Sequence, residues 1–198
     1  DLCLSVLGYS AFGRNHKEIG FYFVPSTHPW KKQCLLLSFV RSAGDTEGSV
    51  MEVSKPTVDD KPGFALIRVL RAGVCSTNLE ILQGYMGFQG VLGHEFVGIV
   101  EKVNGSQSEQ KQCFGKRVCG NINVGCSTCN VCTIASNLDA TCCKMSCNHC
   151  PNWTVLGILN HEGTMAEWLS LPLPNLHVVP DHVSDEVADF AKSLVATC

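Results

Sequence analysis

Hydrophobic residues gather along this chain in short runs divided by turn residues, a pattern that predicts many short strands and few helices. CLLLSFV over 34–40 predicts a buried strand, and SVMEVSKP over 49–56 alternates and ends at a proline. Lys61-Pro62-Gly63 marks a turn, after which ALIRVL over 65–70 has the branched apolar residues of a strand. CSTNLEILQG over 75–84 predicts a short helix, capped by Ser76, Thr77 or Asn78 and stopped by Gly84. Further strands are predicted at EFVGIVEKV (95–103), KRVCGNINVG (116–125), TVLGIL (154–159), GTMAEWLSLP (163–172) and LHVVP (176–180). Gly98 marks a bulge or a close approach within the first of these. SDEVADFAKSLVAT over 184–197 is the clearest helix, with Ser184 as N-cap and Asp185 and Glu186 at its positive end. Val187, Phe190, Leu194 and Val195 share one of its faces. Residues 1–33 have apolar runs but no clear period.

Short strands with frequent turns predict a mainly β fold, a small barrel-like domain with short helices. The chain has no GxGxxG and no repeating strand–helix pattern, so no dinucleotide-binding (Rossmann) domain is expected in it. Its 198 residues suffice for one domain with appendages, and 45% hydrophobic content is enough to bury a core. A net charge of −3 gives no basic patch for nucleic acid. The apolar run inside KKQCLLLSFVRSA (31–43) is too short to span a membrane and too far in for an N-terminal signal. The start at Asp1 and the end at Cys198 suggest a piece of a longer protein.

Thirteen cysteines change the picture. A secreted disulfide scaffold would carry a signal peptide, and the sequons at Asn104 and Asn152 matter only in that setting. A protein of the cytoplasm, the expected compartment, uses such cysteines for metal. Cys126, Cys129 and Cys132 stand three apart, a spacing that lets thiolates converge on one zinc from a tight loop. A structural zinc needs a fourth ligand, and Cys142, Cys143, Cys147, His149 and Cys150 are the candidates. Upstream, Cys75 follows a strand while His94 and Glu95 precede one. Thiolate, imidazole and carboxylate are all zinc ligands, and a catalytic zinc keeps one position open. Read from the residues alone, Cys75 also suits a small buried hydrophobe, His94 a hydrogen-bonded structural residue, and Thr77 a helix cap.

ALIRVLRAGVCSTNLEILQGYMGFQGVLGHEFVGIVEKV (65–103), with its Gly-His-Glu, its upstream Cys and the later Cys triplet, resembles the zinc-dependent medium-chain alcohol dehydrogenases. The resemblance continues over 149–191 and covers roughly residues 49–198, with alcohol and threonine dehydrogenase-like members foremost. It implies a GroES-like β-barrel catalytic domain. It implies that Cys75 and His94 hold a catalytic zinc, with Glu95 as an acidic neighbour able to approach the metal and Thr77 as the hydroxyl that relays a proton. Cys126, Cys129, Cys132 and Cys150 take the places of the structural-zinc ligands. The implied reaction oxidises an alcohol to a carbonyl with NAD(P). Its implied partners are a small alcohol or aldehyde and, for the full-length protein, further copies of itself; cofactor-binding residues stay unassigned. The resulting division is an unassigned segment at 1–33, a catalytic domain at 34–183 with a zinc lobe at 126–150, and a helix at 184–198 leading to a nucleotide-binding domain.

The sequence departs from this pattern in four places. Asn78 stands where the family has Asp, which predicts weaker zinc binding. Lys192 stands where relatives have a Glu able to complete the catalytic site, and its ammonium has no lone pair for a metal. The gap between Cys132 and Cys150 is longer than the family's, so 133–149 holds an insertion. The chain also stops where the nucleotide-binding domain should begin, so the isolated chain is expected to be inactive. The competing expectation is a truncated relative that binds only structural zinc.

Overall fold

The computed structural model describes residues 19–22, 33–42, 45–53, 56–82, 85–88, 90–136, 149–189 and 191. Three strands near the N-terminus, β1 (Ile19–Tyr22), β2 (Gln33–Ser42) and β3 (Asp45–Val53), form an antiparallel sheet in the order β1-β2-β3. β2 and β3 are the two early strands the sequence predicts. β1 lies in the segment whose period is unreadable from sequence.

The central element is β4 (Phe64–Ala72), which leads through Cys75 into the short helix α1 (Ser76–Leu82). Then come β5 (Phe96–Asn104), helix α2 (Gln107–Cys113), β6 (Arg117–Gly120) and β7 (Asn123–Val124). Helix α3 (Asn130–Ser136) lies inside the cysteine-rich stretch. The chain continues with β8 (Thr154–Leu156), β9 (Asn160–His161), β10 (Trp168–Pro172), β11 (Leu176–Val178) and helix α4 (Asp185–Asp189). A five-stranded antiparallel sheet runs β10-β4-β5-β6-β11, and β7, β8 and β9 form a small third sheet. The architecture is mainly β with short helices, as the pattern predicts.

Period-two alternation along β4 sets its inward side. Ala65, Ile67 and Val69 pack with Val100, Val118, Leu169 and Leu171 in the main core. Gly98 lies opposite Val69 where the β4–β5 register shifts. A Cβ at Gly98 would lie 2.5 Å from Ile67 Cγ2 and 2.8 Å from the Arg68 carbonyl oxygen, so the glycine is there for close approach.

Local structure differs from the sequence reading in five places, the first being TVLGIL, which is strand only over Thr154–Leu156 before a turn at Gly157-Ile158. KRVCGNINVG is two strands rather than one, divided at Asn121-Ile122. GTMAEWLSLP becomes strand only from Trp168, because 163–165 runs beside 91–93, with Gly163 N–H donating to the Val91 carbonyl at 2.7 Å and Met165 N–H to the Leu92 carbonyl at 2.9 Å. Helix α2 was not legible by period since none of its residues is buried. Its signal is a capping box, in which the Ser106 hydroxyl accepts from Glu109 N–H while Glu109 accepts from Ser106 N–H. In α4, Ser184 caps as predicted, its Oγ accepting from Val187 N–H, but Val187 is exposed and Ala188 is the buried residue. Phe190, Leu194 and Val195 lie outside the side chains described. Ion pairs Arg71–Glu186 and Arg117–Asp185 tie α4 to β4 and β6.

Candidate metal centres

Two groups of ligand-type side chains converge. Cys75, His94 and Glu95 form one, Cys126, Cys129, Cys132 and Cys150 the other, with the ligand atoms of each group all within 4.8 Å of one another.

The first group sits where β4 ends and β5 begins. Cys75 leaves β4 and immediately precedes α1. All three capping candidates lie inside α1, which begins at Ser76, so Cys75 takes the position before the helix. Asn78 reaches back to it, its Oδ1 accepting from Cys75 N–H at 3.0 Å while Asn78 N–H donates to the Cys75 carbonyl at 3.1 Å. This reciprocal pair fixes the turn that presents the thiol. Asn78 is fully buried, and its Nδ2 has no hydrogen-bond partner among the described residues. His94 and Glu95 are held from the other side, where Gly73 N–H and the Thr164 hydroxyl both donate to the Glu95 carbonyl. Gly93 has φ of +97°, and a Cβ there would lie 2.8 Å from Met165 Cγ and 3.0 Å from Met165 N, as well as against Thr164. Only glycine fits beside the histidine in that backbone.

Cys75 Sγ and His94 Nε2 are 2.7 Å apart, with His94 only 1% exposed. That is closer than the roughly 3.5 Å that thiolate and imidazole keep around a tetrahedral zinc. Thr77 lies half-buried in the first turn of α1, two residues beyond Cys75.

One neighbour escaped the sequence reading. Asp189 arrives from α4, and a Cβ at Gly73 would meet both Glu95 Oε2, at 2.6 Å, and Asp189 Oδ1, at 3.5 Å. Burial, and then the Glu95 charge, push the Asp189 carboxyl up to about 6, while Arg71 opposes the rise. In the sequence only Asp185 and Glu186 of DEVAD have a reading, as charges at the positive end of the helix, and Asp189 has none.

In the cysteine lobe, a turn through Ser127, whose φ is +60°, carries Cys126 to Cys129. Cys132 follows in the first turn of α3, and Cys150 comes from the far side of the insertion. Among the described residues, Cys150, which is 2% exposed, joins the triplet, whereas His149 is exposed and outside the group. Cys142, Cys143 and Cys147, like Lys192, lie outside the described residues. Cys129 Sγ and Cys150 Sγ are 3.7 Å apart. Thiolates about 2.3 Å from a tetrahedral zinc stand about 3.8 Å from each other, so the donor set suits that metal. Backbone N–H groups point at the sulfurs: Cys126 to Cys150 Sγ at 3.4 Å, Cys129 to Cys126 Sγ at 3.4 Å, and Cys132 to Cys129 Sγ at 3.5 Å. Hydrogen bonding from Thr128 leads in lowering the Cys126 thiol to about 5, while burial and the neighbouring Cys129 and Cys150 push Cys132 up to about 12. Clustered thiolates repel, and a divalent cation lets all of them ionise.

Residues 61–181 match the sequence profile of the family described as "Alcohol dehydrogenase GroES-like domain". The chain is 31% identical over 148 residues to L-threonine 3-dehydrogenase of Chelativorans sp. (strain BNC1), a match covering 72% of this chain and 39% of that protein. It is also 31% identical over 144 residues to D-altritol 5-dehydrogenase of Agrobacterium fabrum, covering 70% and 39%. Alcohol dehydrogenase TADH from Thermus sp. ATN1 has a similar structure, with a TM-score of 0.61 and 32% identity over 76% of this chain and 42% of that one. The chain thus spans about two-fifths of the length of these relatives.

Proposed function

The chain belongs to the zinc-dependent medium-chain alcohol dehydrogenase family, and from that premise we propose that it is the catalytic-domain portion of an oxidoreductase converting an alcohol to a carbonyl with NAD(P). The observation that carries this reading is the convergence of Cys75, His94 and Glu95 at the β4–β5 junction. In the proposal, Cys75 and His94 hold the catalytic zinc and Glu95 is the third donor. Cys126, Cys129, Cys132 and Cys150 hold the structural zinc. A zinc at Cys75 and His94 supplies Lewis acidity that eases loss of the alcohol proton.

The chain's own residues orient and relay. Asn78 fixes the turn of Cys75 through its amide, Thr164 and Gly73 fix Glu95 through its carbonyl, and Thr77 passes the substrate proton outward through its hydroxyl. The substrate is a small alcohol or aldehyde. No residue of this chain is assigned to NAD(P), and we place its binding in the part of the relatives' length that this chain does not span. We propose the same division as the sequence suggests: an unassigned segment at 1–33, a catalytic domain at 34–183 with a zinc lobe at 126–150, and a helix at 184–198 leading to a nucleotide-binding domain. A cytoplasmic, homo-oligomeric full-length protein is part of this reading. No helix among the described residues is long and apolar enough to cross a membrane.

A second reading, a relative that binds only structural zinc, is favoured by one observation. The Cys129–Cys150 separation matches a zinc tetrahedron, whereas Cys75 and His94 are closed on each other. Zinc per chain, measured by elemental analysis on the protein and on Cys75→Ala, separates the two. A fall from two to one supports the catalytic site, and one zinc unaffected by the substitution supports the second reading. Alcohol-dependent reduction of NAD(P) by this chain alone would overturn its expected inactivity.

A further inference from the structure

A hollow of about 270 Å³ opens between the start of β4, the outward side of β10 and the 160–163 loop, and neither Cys75, His94 nor Glu95 lines it. Its polar groups do not belong to the chemistry above. Leu169 and Leu171 of β10 join the main core, so Ser170 between them faces away from it, on the side of the hollow. Ser170 is only 9% exposed, and its Oγ has no hydrogen-bond partner among the described residues. A buried hydroxyl left without a partner is unfavourable, and a bound polar group would complete it.

Lys61 stands at the rim, its Nζ 5.8 Å from the centre of the Phe64 ring, and it makes no ion pair with any described residue. Across the loop, Glu162 accepts from Val91 N–H with one carboxylate oxygen at 2.5 Å, and a carboxylate has capacity for further donors. Phe64 and Trp168 supply apolar wall. The hollow thus offers the Lys61 ammonium, the Glu162 carboxylate, one buried hydroxyl and an apolar surface, with Asn160 and His161, whose Nδ1 lies 2.9 Å from the Glu162 carbonyl oxygen, also lining it. A ligand of single charge would meet repulsion from Lys61 or from Glu162, and a ligand carrying both charges meets neither.

We propose that this hollow binds a small apolar α-amino acid as its zwitterion. The carboxylate takes the Lys61 ammonium and the Ser170 hydroxyl, the ammonium takes the Glu162 carboxylate, and the side chain lies against Phe64 and Trp168. A hollow of about 270 Å³ has room for several water-sized groups, as a leucine-sized molecule requires. This site uses none of the residues assigned to the dehydrogenase chemistry, so either reading can fail without the other.

Calorimetric titration of the full chain tests it, with three probes: L-leucine, 4-methylpentanoate, which lacks the ammonium, and 3-methylbutylamine, which lacks the carboxylate. L-leucine is expected to bind saturably, and each analogue roughly tenfold more weakly or worse. Lys61→Met and Glu162→Gln should each weaken L-leucine by about tenfold. Ser170→Ala should weaken it without lowering the unfolding midpoint, since its hydroxyl has no partner among the described residues to lose and its removal relieves an unsatisfied buried group; circular dichroism checks that each variant is folded. Absence of saturable heat with L-leucine overturns the proposal. So does equal affinity for L-leucine and 4-methylpentanoate, or binding that ignores both Lys61→Met and Glu162→Gln.

Discussion

Cys129 Sγ and Cys150 Sγ lie 3.7 Å apart although 21 positions separate them in the chain. That distance matches the edge of a zinc–thiolate tetrahedron, and the pair brings Cys150 back to the Cys126–Cys132 turn. Serine at either position should lower the zinc content by one per chain, read by elemental analysis. It should also lower the thermal midpoint by on the order of 10 °C, because a structural metal contributes to folding outright. An unchanged zinc content would rule out the lobe as a metal site.

Asn78 bonds Cys75 N–H with its carbonyl oxygen and leaves its amide nitrogen buried without a partner among the described residues. Asp at this position keeps the acceptor and adds a negative charge beside the candidate ligands. Asn78→Asp should therefore bind the Cys75–His94 zinc about tenfold more tightly, measured by competition with a chromogenic chelator. The same charge, buried without metal, should make the metal-free variant less stable than the parent. Equal zinc affinity in the two proteins would show that Asn78 acts only on the turn.

Asp189 has its carboxyl raised from an ordinary value near 3.8 to about 6, by burial first and the Glu95 charge second. The folded protein therefore holds a proton that the unfolded chain releases between about pH 4 and pH 6. Stability from this group is full below about pH 4, falls as pH rises through that window and is gone above about pH 6. In the metal-free protein, Asp189→Asn should raise the unfolding midpoint at about pH 8 and change it little at about pH 4. A difference that stays constant across pH would locate the effect in packing.

Gly98 leaves no room for a side chain, since a Cβ would press on Ile67 Cγ2 and the Arg68 carbonyl oxygen. Gly98→Ala should cost about 1–3 kcal/mol, seen as a lower midpoint in urea with an unchanged slope. A cost below about 0.5 kcal/mol would mean that the β4–β5 pair gives way freely.

The sequence by itself determined most of the longer strands and the chemistry on offer, but not β1 or the break between β6 and β7. Ala65 to Leu70 reads as a strand because period-two burial and branched side chains are local properties, and Cys126, Cys129 and Cys132 read as a metal triplet because their spacing alone puts them in one loop. Helix α2 escaped the period because it buries nothing, and only its Ser106–Glu109 cap marked it. Which residues complete each site was decided by tertiary structure. Cys150 rather than His149 joins the triplet, Asp189 of α4 comes to lie behind Glu95, and His94 reaches Cys75 across 19 positions. These contacts depend on the register of β4 against β5 and on ion pairs that dock α4, Arg71–Glu186 and Arg117–Asp185. Propensity and spacing act over a few residues, whereas convergence of distant side chains follows from strand pairing and packing, which no single stretch of sequence contains.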